Sequence, residues 1–373
     1  MPILRLLRHA LLALSATAGM ITAPIAAGSD ASLKKNTVYD SDQPMEKRVA
    51  AMRELTGLGE PGNETRKICI WDIVGRNGPI YSAAQDQRTK LLEYGIQLEL
   101  VPYTDERVMV DEFKAGLCDA ALMSGLRARL FNTYTGTIDS IGGLPSQQHM
   151  HILMQVLANP RSAPEMVQGD YVIAGIAPGG GAYLFVNDKR INTLAAAAGK
   201  NVAVLDYDPV QAEMVAQVGA SPVPTDIVNA PNMFNNGVVD VLAAPLAAYE
   251  IVELYKGMTP DGGIVDYPIA QISMQLVARR DRIPNEAAQL VREVFYQSFE
   301  QIMDRVHAET KNIPDHWWIT IPDDDKREYE VMMRDVRLQL RERGYYSAEM
   351  LTLQRRIRCK LDASRAECAA PEE

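Results

Sequence analysis

Lys67-Ile68-Cys69-Ile70-Trp71-Asp72-Ile73-Val74 is an apolar run that ends in Gly75-Arg76-Asn77-Gly78-Pro79. A short apolar stretch bounded by turn formers reads as a buried strand, and Pro79 suits the first turn of a helix. That helix covers residues 80–94 and stops at Gly95. The alternation carries on outward. Residues 96–103 read as strand, 105–114 as a helix capped by Thr104, and 117–123 as a third strand. Short strands separated by helices of this length form βαβ units, hence parallel pairs with right-handed crossovers.

Residues 124–168 are less regular, with an apolar run at 149–157. A second alternation then begins. Residues 171–177 read as strand, Pro178-Gly179-Gly180-Gly181 as a sharp turn, and 182–186 as another strand. Strands at 201–205, 221–225 and 238–243 alternate with helices at 209–218 and 230–236, and 263–267 and 271–278 are extended. The last third is helical. One apolar stripe spans residues 284–307, and further helices cover 322–343 and 347–360. The predicted class is α/β, with two parallel or mixed sheets, flanking helices, a hinge and a cleft, plus C-terminal helices.

The 373 residues suit two domains at roughly 100–200 residues each. The predicted boundaries are a signal peptide at 1–27, an N-terminal leader at 28–65 with a short helix near 45–55, and a first α/β domain at 66–168. A second α/β domain at 169–272 follows, and 273–373 return to the first domain and form the helical region. Arg5 and Arg8 precede an uncharged stretch that ends Ala23-Pro24-Ile25-Ala26-Ala27-Gly28, as a secretory signal does. The alternative is a membrane anchor, which Gly19 and Pro24 weaken. The chain carries 38 Lys+Arg against 48 Asp+Glu, a net charge of −10, and loss of the signal makes it still more acidic. A general nucleic-acid binder needs the opposite sign. Export to a periplasm is expected.

Four cysteines allow three pairings. Cys359 and Cys368 flank a short polar stretch, where a bridge would pin the tail. Cys69 and Cys118 lie in strand-like apolar runs and read as buried free thiols.

Two α/β halves behind a signal, followed by long helices, resemble a periplasmic solute-binding protein, in particular the DctP-like binding proteins of TRAP transporters. The likeness reaches from about Ile68 to about His307. Residues 194–205, LAAAAGKNVAVL, stand where that family has LKGLKIRVP. Val218-Gly219-Ala220-Ser221-Pro222-Val223-Pro224 and Phe234-Asn235-Asn236-Gly237-Val238-Val239-Asp240 are similar to its LGAxPV and LQTGVVD blocks. The resemblance implies capture of a small molecule for an inner-membrane transporter. It also implies an arginine in the 201–205 strand that grips a ligand carboxylate bidentately. The aligned residue here is Ala203, a departure from that pattern. The N-terminal half resembles a narrower group of exported solute-binding proteins, some labelled as belonging to RND efflux systems.

Ligands of open α/β sheets bind beyond the carboxyl ends of the strands. That rule selects Trp71, Asp72, Arg76, Asn77, Tyr103, Ser124 and Arg127 from the first domain, and Tyr183, Asp206, Tyr207 and Tyr249 from the second. Each has a structural alternative. Trp71, Tyr183 and Tyr249 suit packing as well as ligand stacking. Asp72, Asp206 and Asp208 suit caps, and Arg76 and Arg127 suit ion pairs. Together they describe an aromatic cleft for a zwitterionic, cationic or neutral ligand with an apolar body. His149 and His151 would share a face of a strand but have no third ligand. No hydrolase, zinc-protease or phosphate-loop motif occurs, so no enzyme activity, metal or cofactor is expected. A second reading is a periplasmic adaptor or sensor acting through protein contacts beside an efflux system; a secreted enzyme is a third.

Overall fold

A computed structural model describes residues 25–59, 65–92 and 96–373. The expected targeting segment falls almost wholly on residues 1–24, outside the described residues, as does Gly95. The strands are β1 Thr65–Trp71, β2 Gln97–Tyr103, β3 Ala120–Ser124, β4 Val167–Gln168, β5 Tyr171–Val186, β6 Asn201–Leu205, β7 Ser221–Thr225, β8 Val241–Pro245, β9 Gly263–Val265, β10 Ala270–Arg279 and β11 Trp318–Ile319. The helices Pro79–Leu92 and Glu106–Lys114 cross over between β1, β2 and β3, which are mutually parallel. The helix Pro209–Gln217 does the same between β6 and β7.

Where two separate sheets were expected, the strands join into one mixed sheet of order β2-β1-β3-β10-β5-β8-β6-β7. Two strands make the junction. The lower part of β5 pairs antiparallel with β10, which also pairs with β3, and its upper part pairs with β8 and β9. The sharp turn expected at Pro178-Gly179-Gly180-Gly181 is instead a bulge inside β5. The register slips between Ile272 and Ser273, and Gly180 adopts φ 86°, which glycine tolerates without strain. Hydrogen bonds to β10 keep the strand continuous, and the bulge bends it where the two halves meet.

Each half has its own core. Ile68, Ile70, Met109 and Phe113 pack with Leu153, Leu290 and Met350 in the first. Phe185, Phe234, Tyr249, Met258 and Trp317 pack in the second. The expected leader is part of the first core. Its helices Ile25–Tyr39 and Met45–Thr56 bury Val38 and Met52, and buried Arg48 reaches Glu293 at 2.6 Å. Thr104 does not cap its helix; Asp105 does, accepting from the Arg107 and Val108 amides. The single stripe expected over 284–307 divides at Ser298 into Asn285–Gln297 and Phe299–Thr310.

The tail is pinned by charge. Arg358 is fully buried, pairs with Glu367 and Glu373, and donates to the Gly143 carbonyl at 2.7 Å. Cys359 and Cys368 are bonded as expected. Cys69 and Cys118 are bonded as well, which corrects their reading as free thiols. Parallel β1 and β3 are neighbours, so the residue leading into β3 comes within 5.9 Å, Cα to Cα, of Cys69, inside bridging range. No helix among the described residues is long and apolar enough to cross a membrane.

Candidate ligand-binding cleft

The carboxyl ends of β1, β3, β6 and β8 converge where β5 and β10 join the two halves. A cavity of about 730 Å³ opens there and runs through both halves, as far as Met52 in the first and Met333 on the C-terminal side; its size suits a small organic molecule. Its walls come from both halves and from the helix Phe299–Thr310, and they are mainly apolar. The polar groups that reach it include Ser124, Arg129, Asp139, Asp208 and Glu309.

Trp71, 8% exposed, lines this cavity, and its buried indole N–H has no acceptor among the described residues. Asp72 is committed elsewhere. Its carboxylate accepts from the amides of Val74, Ile80 and Tyr81, capping the helix that starts at Pro79. Arg76 and Asn77 are exposed on the following turn, with Arg76 5.7 Å from the Tyr81 ring. Tyr103 donates to Glu112, and burial pushes its phenol up to about 12.

Ser124, Arg127 and Tyr207 form the clearest meeting of the two halves. The Ser124 hydroxyl accepts from the Arg127 amide, and the Ser124 amide donates to buried Glu106 at 2.6 Å. The guanidinium of Arg127 lies 3.4 Å from the centroid of the Tyr207 ring, a cation–π contact across the junction. Nε of Arg127 is 3.7 Å from Glu106, too long for a hydrogen bond. Among the described residues, Glu106 Oε2, Arg127 Nε and the Tyr207 hydroxyl are buried without hydrogen-bond partners. Burial raises the Glu106 carboxyl above its ordinary value and raises the Tyr207 phenol strongly. Asp206 is exposed, and its amide donates to the Thr225 carbonyl. Asp208 caps the next helix through the Val210 amide.

Tyr183 and Tyr249 lie apart from this meeting point. Tyr183 packs edge-on to Trp318 with ring centroids 5.9 Å apart. The Tyr249 hydroxyl accepts from the Trp317 indole at 3.1 Å. His149 and His151 sit on the helix Gln147–Ala158, not on a strand, and share no face. His149 bonds Ser146, and burial pushes it down to about 4; His151 stacks on Phe299. Ala203 lines the cavity with its methyl group.

Sequence reasoning missed four groups. Arg129 is 3.9 Å from Asp208 and lies over the Tyr345 and Tyr346 rings, a second tie across the junction. Asp139 accepts from the amide and hydroxyl of Ser273, and burial pushes its carboxyl up to about 7. Glu106 was legible only as an acid in a first helical turn. Glu309 did carry a signal, since an acid in the last turn of a helix opposes the macrodipole.

Two halves sharing long strands around a ligand-sized cleft define a solute-binding protein fold. Solved structures agree. A TRAP periplasmic solute-binding protein from Desulfovibrio salexigens with bound orotic acid matches with TM-score 0.67 at 15% identity, covering 80% of this chain and 99% of that one. One from Sulfitobacter with bound galacturonate matches with TM-score 0.64 at 16% identity, covering 78% and 99%. The family model described as "Solute-binding protein AdeT 1/2" matches residues 66–373, and the chain belongs to that family. The "Probable solute-binding protein AdeT1" of Acinetobacter baumannii is 38% identical over 304 residues, 82% of this chain and all of that protein. "Probable solute-binding protein AdeT2" of the same organism is 28% identical over 233 residues, 62% of this chain and 98% of that one.

Proposed function

We propose that this solute-binding protein works outside the cytoplasmic membrane, closing its two halves on a small molecule and presenting it to a TRAP-like membrane transporter. The observation that carries the reading is the Arg127–Tyr207 contact, made by residues at the ends of β3 and β6 beside the cavity. A bulged strand next to that contact supplies the bend. Binding would shift an open–closed equilibrium by the difference in affinity for the two states. The closed form is then the one a membrane partner recognises. No catalytic step is assigned to the cleft.

Native mass spectrometry of protein purified from its own cell envelope tests capture. The expected result is a bound mass that leaves on mild activation and is absent after unfolding and refolding. A bare chain, together with a stable protein partner that needs no small molecule, would favour the adaptor reading instead.

A further inference from the structure

We propose that the cleft selects a cationic ligand with an apolar body, its charged head set against Glu309. This inference rests on the capture reading above. Glu309 lies in the last turn of Phe299–Thr310, half-buried in the cavity wall. It makes no hydrogen bond and no ion pair with the described residues. Its carboxylate stands at the negative end of the helix, and Asp72 and Glu250 add further negative charge to the same place. All three influences favour a proton or a cation there. Burial and these neighbours hold its carboxyl above the ordinary value.

The arginines of the wall are already engaged, Arg66 by the carbonyls of Arg282 and Thr65. Arg129 donates to the Gly136 carbonyl and faces Asp208, and Arg305 pairs with Asp86 at 2.6 Å. Ala203 on β6 offers a ligand carboxylate no guanidinium, and the unpartnered Nε of Arg127 is held between the Glu106 carboxyl at 3.7 Å and the Tyr207 ring. An independent observation points to a ligand in the same cavity. Trp71 is more than nine-tenths buried, lines the wall, and has an indole N–H without an acceptor. A buried donor left unmade is costly. A ligand bearing one hydroxyl or ether oxygen would satisfy it, and the indole face suits a cation or an apolar ring.

The test is calorimetric titration of residues 28–373, using two matched sets of probes. One set is tyramine, tyrosol and hydroxyphenylpropanoate; the other is hexylamine, hexanol and heptanoate. The amine of each set should bind more tightly than its alcohol, and the acid least. Glu309→Gln should weaken the amine about tenfold and leave the alcohol unchanged. Trp71→Phe, which keeps a ring and removes the N–H, should weaken tyrosol and tyramine alike. Preference for an acid, an unchanged amine affinity in Glu309→Gln, or no binding by either amine overturns the head-group assignment. A metabolite that closes the protein in those cases would leave the capture reading standing.

Discussion

Replacing Tyr207 by alanine removes the ring on which the Arg127 guanidinium rests at 3.4 Å. A desolvated cation–π contact contributes about 2 kcal/mol, which is about 30-fold in the balance between closed and open forms. Apparent affinity falls with the fraction of binding-competent molecules, so the loss approaches that factor when the closed form is the minor one. Tyr207→Phe is the informative companion. The hydroxyl is buried without a partner, so its removal relieves a desolvation cost and keeps the ring. The Phe variant should therefore bind as well as the parent or slightly better, whereas the Ala variant weakens. Calorimetry with the best available ligand reads the affinity, and small-angle scattering reads the compactness. A double-mutant cycle with Arg127→Ala should return a coupling of about 2 kcal/mol. Additive losses, or a Tyr207→Ala protein with unaltered affinity and radius, would refute the contact as a closing device.

Other consequences follow from the same groups. Replacing both Cys69 and Cys118 by serine frees a loop of 49 residues and should cost about 4 kcal/mol in denaturant unfolding; a loss under about 1 kcal/mol would mean the bridge constrains little. Asp139 has its carboxyl pushed up to about 7 by burial, so its stabilising contribution is complete below about 4 and disappears as pH rises through about 7. Asp139→Asn should accordingly gain melting temperature relative to the parent as pH goes from 4 to 8, and parallel pH profiles would contradict this. A Cβ at Gly125 would lie 2.3 Å from the Ser273 hydroxyl and 2.5 Å from Asp139. Gly125→Ala should then destabilise by about 1–3 kcal/mol, and a neutral result would show that this corner yields.

The strand and helix periods were strong enough to place β6 and β7 at their observed ends, because each is a short run closed by turn formers. Where local and long-range preferences conflict, the sequence misleads. Pro178 to Gly181 has turn chemistry, yet pairing with β10 carries β5 through it as a bulge. The apolar run at 149–157 has a helical stripe, Met150, Leu153, Met154 and Leu157, that its two histidines obscured. The rule that ligands sit beyond strand ends selected Trp71 and Ser124, which line the cavity, and Arg127 and Tyr207, which meet across the junction. It could not separate Tyr249, which follows β8 but turns into the second core. Nor could it find Glu106 or Glu309, because the burial of the one and the place of the other in the cavity wall are set by the packing around them.

Small-angle scattering of residues 28–373, recorded with and without a saturating ligand, addresses the central claim directly. The account predicts that the radius of gyration falls on binding and that Tyr207→Ala blunts the fall. Saturation of the cleft with no change in radius would contradict it.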